Sequence, residues 1–360
     1  MIQRFKKIFL VIKKIFHFNI SKKISGLKIV LRERGFLISC LIDNYFSYSL
    51  KPKNSSDFNL VTTSKYKKNK YAIILQGPIG GESDFLYETV KIYKKIFPNC
   101  KIILSTWNNE SPNIIEKLKK EDIEILLNKM PENNGNGNLN LQLKSTYEGI
   151  KLSKTFESDF VLKTRTDCRI MKPNTLDYLK SLMDNFPVKE NSIVNGRLIA
   201  NSIATCKYRI YGLTDICVFG TIKDVERFFF YENEEDMIKK YKFPDNKLIN
   251  ETHIKAEILL TARYLIKIGH ELQWTLEDWW LALKKYFCVV SSSEIDFFWK
   301  KYEWQYEQKL SRSYSEKSNR LIEHSDWLSL YSSKELNWNS LGFQEKWEEN
   351  NGIIKKKSLF

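Results

Sequence analysis

From residue 71 onward, short apolar runs alternate with segments whose apolar positions recur every three or four residues. The run 71–76 predicts a buried strand, 77–81 a turn, and 84–97 a helix stopped by Pro98-Asn99. A strand at 101–106, a helix at 112–120 and a strand at 123–127 come next, then a Gly/Asn-rich loop, 131–138, that leads into a helix at 140–155. The strand 159–164 runs directly into Arg165-Thr166-Asp167. Further strands are predicted at 192–198 and 216–221, with helices at 173–185, 223–231 and 251–268. Such an alternation implies an α/β fold, a parallel sheet covered on both faces, which is an architecture that often binds nucleotides.

The first fifty residues have another pattern. At about 100° per residue, Ile2, Phe5, Ile8, Phe9, Val11, Ile12, Ile15 and Phe16 share one half of a helical wheel and Lys6, Lys7, Lys13 and Lys14 the other; only Leu10 is misplaced. The stretch 51–70 has the polar, breaker-rich composition of a linker. After about 290 the chain changes again, with Trp299, Trp304, Trp327, Trp338 and Trp347 set among charges, as in helices that pack on a body or meet a membrane interface. The expected division is an amphipathic arm at 1–50, a linker at 51–70, a catalytic body at 71–290 and a Trp-rich helical tail at 291–360.

Charge sharpens the first of these. The chain has 360 residues, 58 Lys and Arg against 43 Asp and Glu, a net +15. Residues 1–70 hold 16 basic and three acidic residues, so +13 belongs to the arm and linker and only +2 to the rest. Phe and Ile interleaved with Lys and almost no acid is the composition of an interfacial helix, and each Lys or Arg near anionic lipid adds about 1 kcal/mol. An anionic membrane surface is therefore the expected partner of residues 1–50, and nucleic acid is not; the expected location is cytoplasmic, peripheral on the inner face of the membrane. No run approaches the roughly 20 apolar residues of a bilayer helix. The six cysteines form no C-x-x-C pair and the four histidines no zinc spacing, as in a reduced cytosolic protein without a zinc site. Size and 42% hydrophobic content exclude a small stapled scaffold and a disordered chain.

In an open parallel sheet, ligands bind beyond the carboxyl ends of the strands. Gln76-Gly77-Pro78, Ser105-Thr106-Trp107 and Arg165-Thr166-Asp167 occupy such ends. The first is glycine-rich but is neither a Walker loop nor a dinucleotide fingerprint, so it reads equally as a tight turn or a ligand contact. A strand-end carboxylate beside an arginine suits Mg²⁺ or Mn²⁺ bridging a diphosphate, with the guanidinium fork on phosphate oxygens. An isolated Arg–Asp pair is more often a plain ion pair, and the position two residues on, where a second metal carboxylate belongs, is Arg169.

The ordered series Ile74-Leu-Gln-Gly-Pro-Ile79, Phe97-Pro98, Ile102-Ile-Leu-Ser-Thr-Trp107, Asn138-Leu-Asn-Leu-Gln142 with Ser145-Thr146, Leu162-Lys-Thr-Arg-Thr-Asp167 and Thr214-Asp215 with Phe219-Gly220 resembles the WavE-type lipopolysaccharide synthesis family of bacteria. The resemblance covers about 71–281 and implies a GT-A-like, Rossmann-like nucleotide-sugar fold and a glycosyltransferase of surface-polysaccharide assembly. It gives weight to Gln76, Gly77, Pro78, Thr106, Asn140, Gln142 and Arg165 as donor contacts, and to Ser105, Trp107 and Gly220. Asp167 becomes the expected ligand of Mn²⁺ or Mg²⁺. Asp215 and Glu257, the counterpart of the family's downstream Pro-Glu, become the expected catalytic carboxylates. Leu141 stands where the family commonly has Arg. The pair Glu277-Asp278 before Trp279-Trp280 is a further acid candidate, with a helix N-terminus as its plain alternative.

The expected activity is sugar transfer from a nucleotide-sugar donor to a lipopolysaccharide or other surface-glycan acceptor. A nucleotidyltransferase on a similar sheet, and a non-catalytic membrane- or nucleic-acid-binding scaffold, are the alternatives.

Overall fold

A computed structural model describes residues 51–57, 70–80, 83–189, 193–207, 209–241, 256–301, 321–334, 347–350 and 353–356. The chain divides into two compact units, Met1–Lys53 and Asn54–Phe360. The amphipathic arm, Cys40, Trp304 and Trp338 lie outside the described residues.

The centre of the second unit is a seven-stranded sheet ordered β3-β2-β1-β4-β7-β6-β8. β1 (Tyr71–Gln76), β2 (Cys100–Trp107), β3 (Glu124–Asn128) and β4 (Phe160–Arg165) run parallel. The helices between them are α1 (Ser83–Ile96), α2 (Pro112–Lys119) and α3 (Leu139–Thr155). These elements fall within one or two residues of the positions read from apolar periodicity. β1 lies between two parallel neighbours with both faces covered, so all six of its residues are buried. α3 lies close on β1 and β2 because Gly149 has no side chain: a Cβ there would stand 2.8 Å from Ile74 Cγ2.

The far half of the sheet departs from the expected all-parallel pattern. β6 (Leu198–Asn201) and β8 (Phe287–Val290) are parallel to each other, but β7 (Val218–Thr221) between β4 and β6 is antiparallel to both. The chain therefore enters β7 at the sheet edge where β1 and β4 end. The pairing Lys163↔Val218 sets the register, so residues 214–217 lie beside the end of β4. This reversal brings Asp215 next to Arg165.

Helices α4 (Thr175–Asn185), α5 (Ile222–Phe228), α6 (Glu234–Tyr241), α7 (Ala256–Lys267) and α8 (Leu276–Tyr286) complete the cover. The segments on either side of the expected body pack onto it. Ser55, in the stretch read as linker, is buried: its N–H donates to Glu88 on α1 and its carbonyl accepts from Lys95, both at 2.5 Å. Beyond 290, the short strand β9 (Phe297–Trp299) pairs antiparallel with β5 (Cys168–Ile170), and α9 (His324–Ser332) buries Trp327 fully against α8 and β8. Trp299 and Trp327 thus belong to the body. Trp347 begins β10 (Trp347–Asn350), which forms a two-stranded ribbon with β11 (Ile353–Lys356), where a helix was expected.

Candidate active site

The carboxyl ends of β1 and β4 and the entry to β7 converge on a cluster of charges. Gln76 and Arg165 are direct Cα partners across the β1–β4 ladder, so both side chains leave the same face of the sheet. Gly77 adopts φ +116°, which turns the chain sharply after β1, and its N–H donates to the Ser105 carbonyl at 3.2 Å. Thr166 closes the turn from the other side, donating from N–H to the Gln76 carbonyl at 3.1 Å and from Oγ1 to the Pro78 carbonyl at 2.6 Å.

Arg165 and Asp167 form a bidentate pair, Nε to Oδ1 at 2.8 Å and Nη2 to Oδ2 at 3.0 Å. Oδ2 also accepts from the Trp299 indole N–H at 3.0 Å, and Oδ1 from the Cys168 thiol at 3.6 Å. Burial pushes the Asp167 carboxyl up, but the Arg165 guanidinium and the indole outweigh it and hold it below the ordinary range. Trp299 reaches this point because β9 pairs with β5, setting Cys168 opposite Trp299.

Two residues before Arg165, Lys163 is wholly buried in the sheet. Its ammonium donates to the Asp215 carbonyl, which also accepts from Gln142 Nε2 at 3.3 Å, and lies 5.1 Å from the centre of the Phe229 ring. Burial pulls the lysine down to about 8; Asp215 opposes this and Arg165 adds to it. Asp215 is itself 8% exposed and is felt electrostatically by both Lys163 and Arg165. Among the described residues its carboxylate makes no salt bridge.

The expected donor contacts separate into two groups. Gln76, Gly77, Pro78 and Arg165 sit together at the strand ends, and Gln76 Oε1 is buried without a hydrogen-bond partner among the described residues. Thr106 Oγ1, both amide atoms of Asn140 and Gln142 Nε2 are engaged in the fold. Thr106 Oγ1 donates to Glu110 at 2.7 Å, and the same carboxylate oxygen accepts from the Ile79 N–H at 2.8 Å. Asn140 donates to the Asn133 carbonyl at 3.1 Å and accepts from the Glu234 N–H at 2.8 Å. Asn140 lies beside a cleft of about 580 Å³ whose lining includes Glu132, Glu234, Glu235 and Asp236. Four carboxylates make that cleft a poor seat for a diphosphate. Glu257 stands in the first turn of α7, which packs on α5 and α6.

The cation site expected at Asp167 does not fit the donor set. A carboxylate offers about four lone-pair positions, and here four donors face them. Arg169 turns away to α1, donating to Thr89 Oγ1 at 2.9 Å and the Phe85 carbonyl at 3.0 Å. Among the described residues no three His, Cys, Asp or Glu side chains are gathered so as to share a metal ion.

Asp278, Trp279 and Trp280 belong to a separate structural network, and Glu277, in the first turn of α8, is exposed. Asp278 accepts from Tyr211 OH and from the Gln273 N–H at 3.1 Å, and contacts His270 Nε2 at 3.0 Å. Both tryptophans are fully buried, with indole N–H groups on the carbonyls of Cys206 and Lys207 at 3.3 and 3.1 Å. Sequence reasoning missed Lys163 and Trp299. A lysine directly after the apolar run Phe160-Val161-Leu162, in a strand expected to be covered on both faces, was the available signal for the first; Trp299, 132 residues from Asp167, gave none.

The family model for WavE lipopolysaccharide synthesis matches residues 71–340, three quarters of the chain. The protein belongs to the WavE lipopolysaccharide synthesis family. The match extends through β9 and α9, segments of the expected Trp-rich tail. No curated protein matches this WavE chain by sequence. Among solved structures it is similar to TarS of S. aureus (11% identity, 60% of this chain and 38% of that one, TM-score 0.35). It is also similar to the glycosyltransferase GlyE of Streptococcus pneumoniae TIGR4 (11%, 75% and 56%, TM-score 0.35) and to an active-site mutant of LgtC (13%, 54% and 70%, TM-score 0.31). The WavE chain thus spans little more than a third of the TarS chain it matches. Likeness at this level carries neither activity nor substrate.

Proposed function

We propose that this WavE protein is a glycosyltransferase that moves a sugar from a nucleotide-sugar donor to a lipopolysaccharide or other surface-glycan acceptor. The observation that carries the reading is the meeting of Arg165 and Asp215 at one sheet edge: a cation with donors to spare beside a carboxylate in no salt bridge among the described residues. Sugar transfer needs both, one for the departing diphosphate and one for the acceptor hydroxyl.

In an inverting transfer, Asp215 takes the proton of the acceptor hydroxyl as its oxygen attacks the anomeric carbon. The bond from that carbon to the phosphate oxygen breaks, and the electron pair leaves with the nucleoside diphosphate, whose charge Arg165 receives. Gln76 Oε1 is an open acceptor for a donor N–H or O–H, and the backbone of Gly77 and Pro78 lines the same edge. Glu257 is the second candidate base. Lys163 and Gln142 act by fixing the backbone at Asp215. Residues 1–50 dock the enzyme on anionic lipid; no helix among the described residues is long and apolar enough to cross a membrane.

A nucleotide-sugar panel with a lipopolysaccharide-core acceptor tests the reading. Wild type should transfer from one donor, Asp215→Asn should lose transfer, and Glu257→Gln should retain it. Failure of wild type with every donor, or pyrophosphate release from a nucleoside triphosphate and sugar phosphate, overturns it. Flotation on phosphatidylglycerol vesicles with and without residues 1–50 tests the arm, and equal binding removes the anchor.

A further inference from the structure

We infer that Arg165, locked in place by Asp167 and Trp299, is a metal-independent seat for a diphosphate, and that Asp167 is a positioning residue for that arginine rather than a metal ligand. The inference rests on the nucleotide-sugar reading only for the identity of the diphosphate's owner; the seat itself is a consequence of the geometry.

A divalent ion on Asp167 would need an oxygen lone pair at about 2.0–2.2 Å. Both oxygens are committed: Oδ1 to Arg165 Nε and the Cys168 thiol, Oδ2 to Arg165 Nη2 and the Trp299 indole. Two of the four donors belong to a permanent cation, so an incoming Mg²⁺ or Mn²⁺ would displace a neutral donor and then face a guanidinium across the same carboxylate. The nearest place for a second ligand, two residues on, holds Arg169, which is buried against α1. A lone, saturated carboxylate gives the ion no site.

The same bonds leave Arg165 well prepared for an anion. Its Nε and Nη2 are occupied, and among the described residues nothing accepts from Nη1. The side chain is 31% exposed, and the guanidinium carbon lies 5.5 Å from the centre of the Trp299 ring. One edge of the fork is thus clamped, one face is covered, and among the described residues the two Nη1 N–H groups and the second on Nη2 have no acceptor at the strand ends. Beside it Gln76 Oε1 is buried and unpartnered, an acceptor for a ligand or water N–H or O–H next to the seat rather than for the phosphate oxygens themselves. A fixed guanidinium meets phosphate oxygens with charge-assisted hydrogen bonds and little loss of side-chain freedom, and so supplies the neutralisation that a metal would otherwise give.

Calorimetric titration of the full chain with inorganic pyrophosphate, in EDTA and in Mn²⁺, tests the seat. Affinity should agree within about threefold in the two conditions, and Arg165→Met should weaken it at least about tenfold. Asp167→Asn and Trp299→Phe should each weaken it several-fold, and neither should weaken it further in the Arg165→Met background, because both act through the arginine. A merely structural loss would persist in that background. Should Asp167→Asn fail to fold, Trp299→Phe carries the same comparison. Mn²⁺ tightening pyrophosphate by more than about tenfold, with that gain lost in Asp167→Asn, overturns the inference. If pyrophosphate binds without metal while no nucleotide sugar is turned over, the seat stands and the transferase reading falls.

Discussion

Two hydrogen-bonded aspartates of this protein, Asp167 half-buried and Asp278 buried, share a similar bonding pattern and sit in very different places. Asp167 accepts from Arg165, Trp299 and Cys168; Asp278 accepts from Tyr211 and the Gln273 N–H and contacts His270. For both, burial pushes the carboxyl up and the surrounding hydrogen bonds pull it below the ordinary range. The difference lies in what remains unsatisfied. Around Asp278 the Tyr211 oxygen accepts in turn from the Trp274 N–H, and Trp279 and Trp280 are buried in the same helix, so the network closes on itself. Around Asp167 the partner is an arginine with one nitrogen left over, next to an orphaned glutamine oxygen. A displaced carboxylate pKa marks good hydrogen bonding in either case; an unmet donor or acceptor marks the site.

Exchanging one residue in each network should break the resemblance most sharply. Arg165→Lys keeps the charge but loses the fork, and donor turnover should fall about a hundredfold, while thermal unfolding shifts by only a few degrees. Asp278→Ala should do the opposite, costing about 3 kcal/mol of stability by stranding Tyr211 OH and the Gln273 N–H, with turnover per folded molecule preserved. Denaturant titration paired with initial rates separates the two outcomes. Equal losses of rate in both variants would mean that the Asp278 network reaches the site.

A second pair sharpens the contrast within β4 itself, where Arg165 faces the opening and Lys163 the core. An unfolded lysine titrates near 10.5, whereas burial pulls folded Lys163 down to about 8. Between those values the unfolded chain holds a proton that the folded chain has released, so unfolding free energy rises with pH; the penalty is full below about 8 and gone above about 10.5. Lys163→Met lacks this dependence. The stability of wild type relative to the variant should therefore climb from pH 8 to pH 10 by about 2 kcal/mol. A flat difference would show that folded Lys163 holds its proton as readily as the unfolded chain does. At pH 7 the variant should be at least as stable as wild type, yet slower, since the Asp215 backbone loses one of its two side-chain donors.

Apolar runs and strand-end position made one half of this architecture legible in the amino-acid order. β1 to β4 are parallel strands in a covered sheet, so each declares itself as a short apolar segment, and Arg165 at the end of one of them is a candidate on topology alone. The antiparallel course of β7 has no such signature: 216–221 reads as a strand either way, and only pairing decides which end of it meets Arg165. Trp299 is hidden for a related reason, since its bond to Asp167 depends on β9 finding β5 across more than a hundred residues. Thr106, Asn140 and Gln142 show a third limit. An amide or hydroxyl satisfies a backbone group as readily as a ligand, and here Glu110, the Glu234 N–H and the Asp215 carbonyl engage them.

Asn140 gives the smallest and most discriminating test of that last distinction. Its amide ties the Gly/Asn-rich loop, through the Asn133 carbonyl, to the first turn of α6, through the Glu234 N–H. Asn140→Ala removes both bonds, each worth about 1 kcal/mol net, so stability should drop by about 1–2 kcal/mol. If the side chain serves the fold, the KM for the donor should move less than about threefold, because the strand-end seat at Arg165 is untouched. A direct donor contact would give the reverse, a KM raised at least about tenfold with stability little changed. That result would shift the sugar or base subsite from the Gln76 edge toward the acidic cleft beside α6, where four carboxylates could take hydroxyl or amino donors but not phosphate.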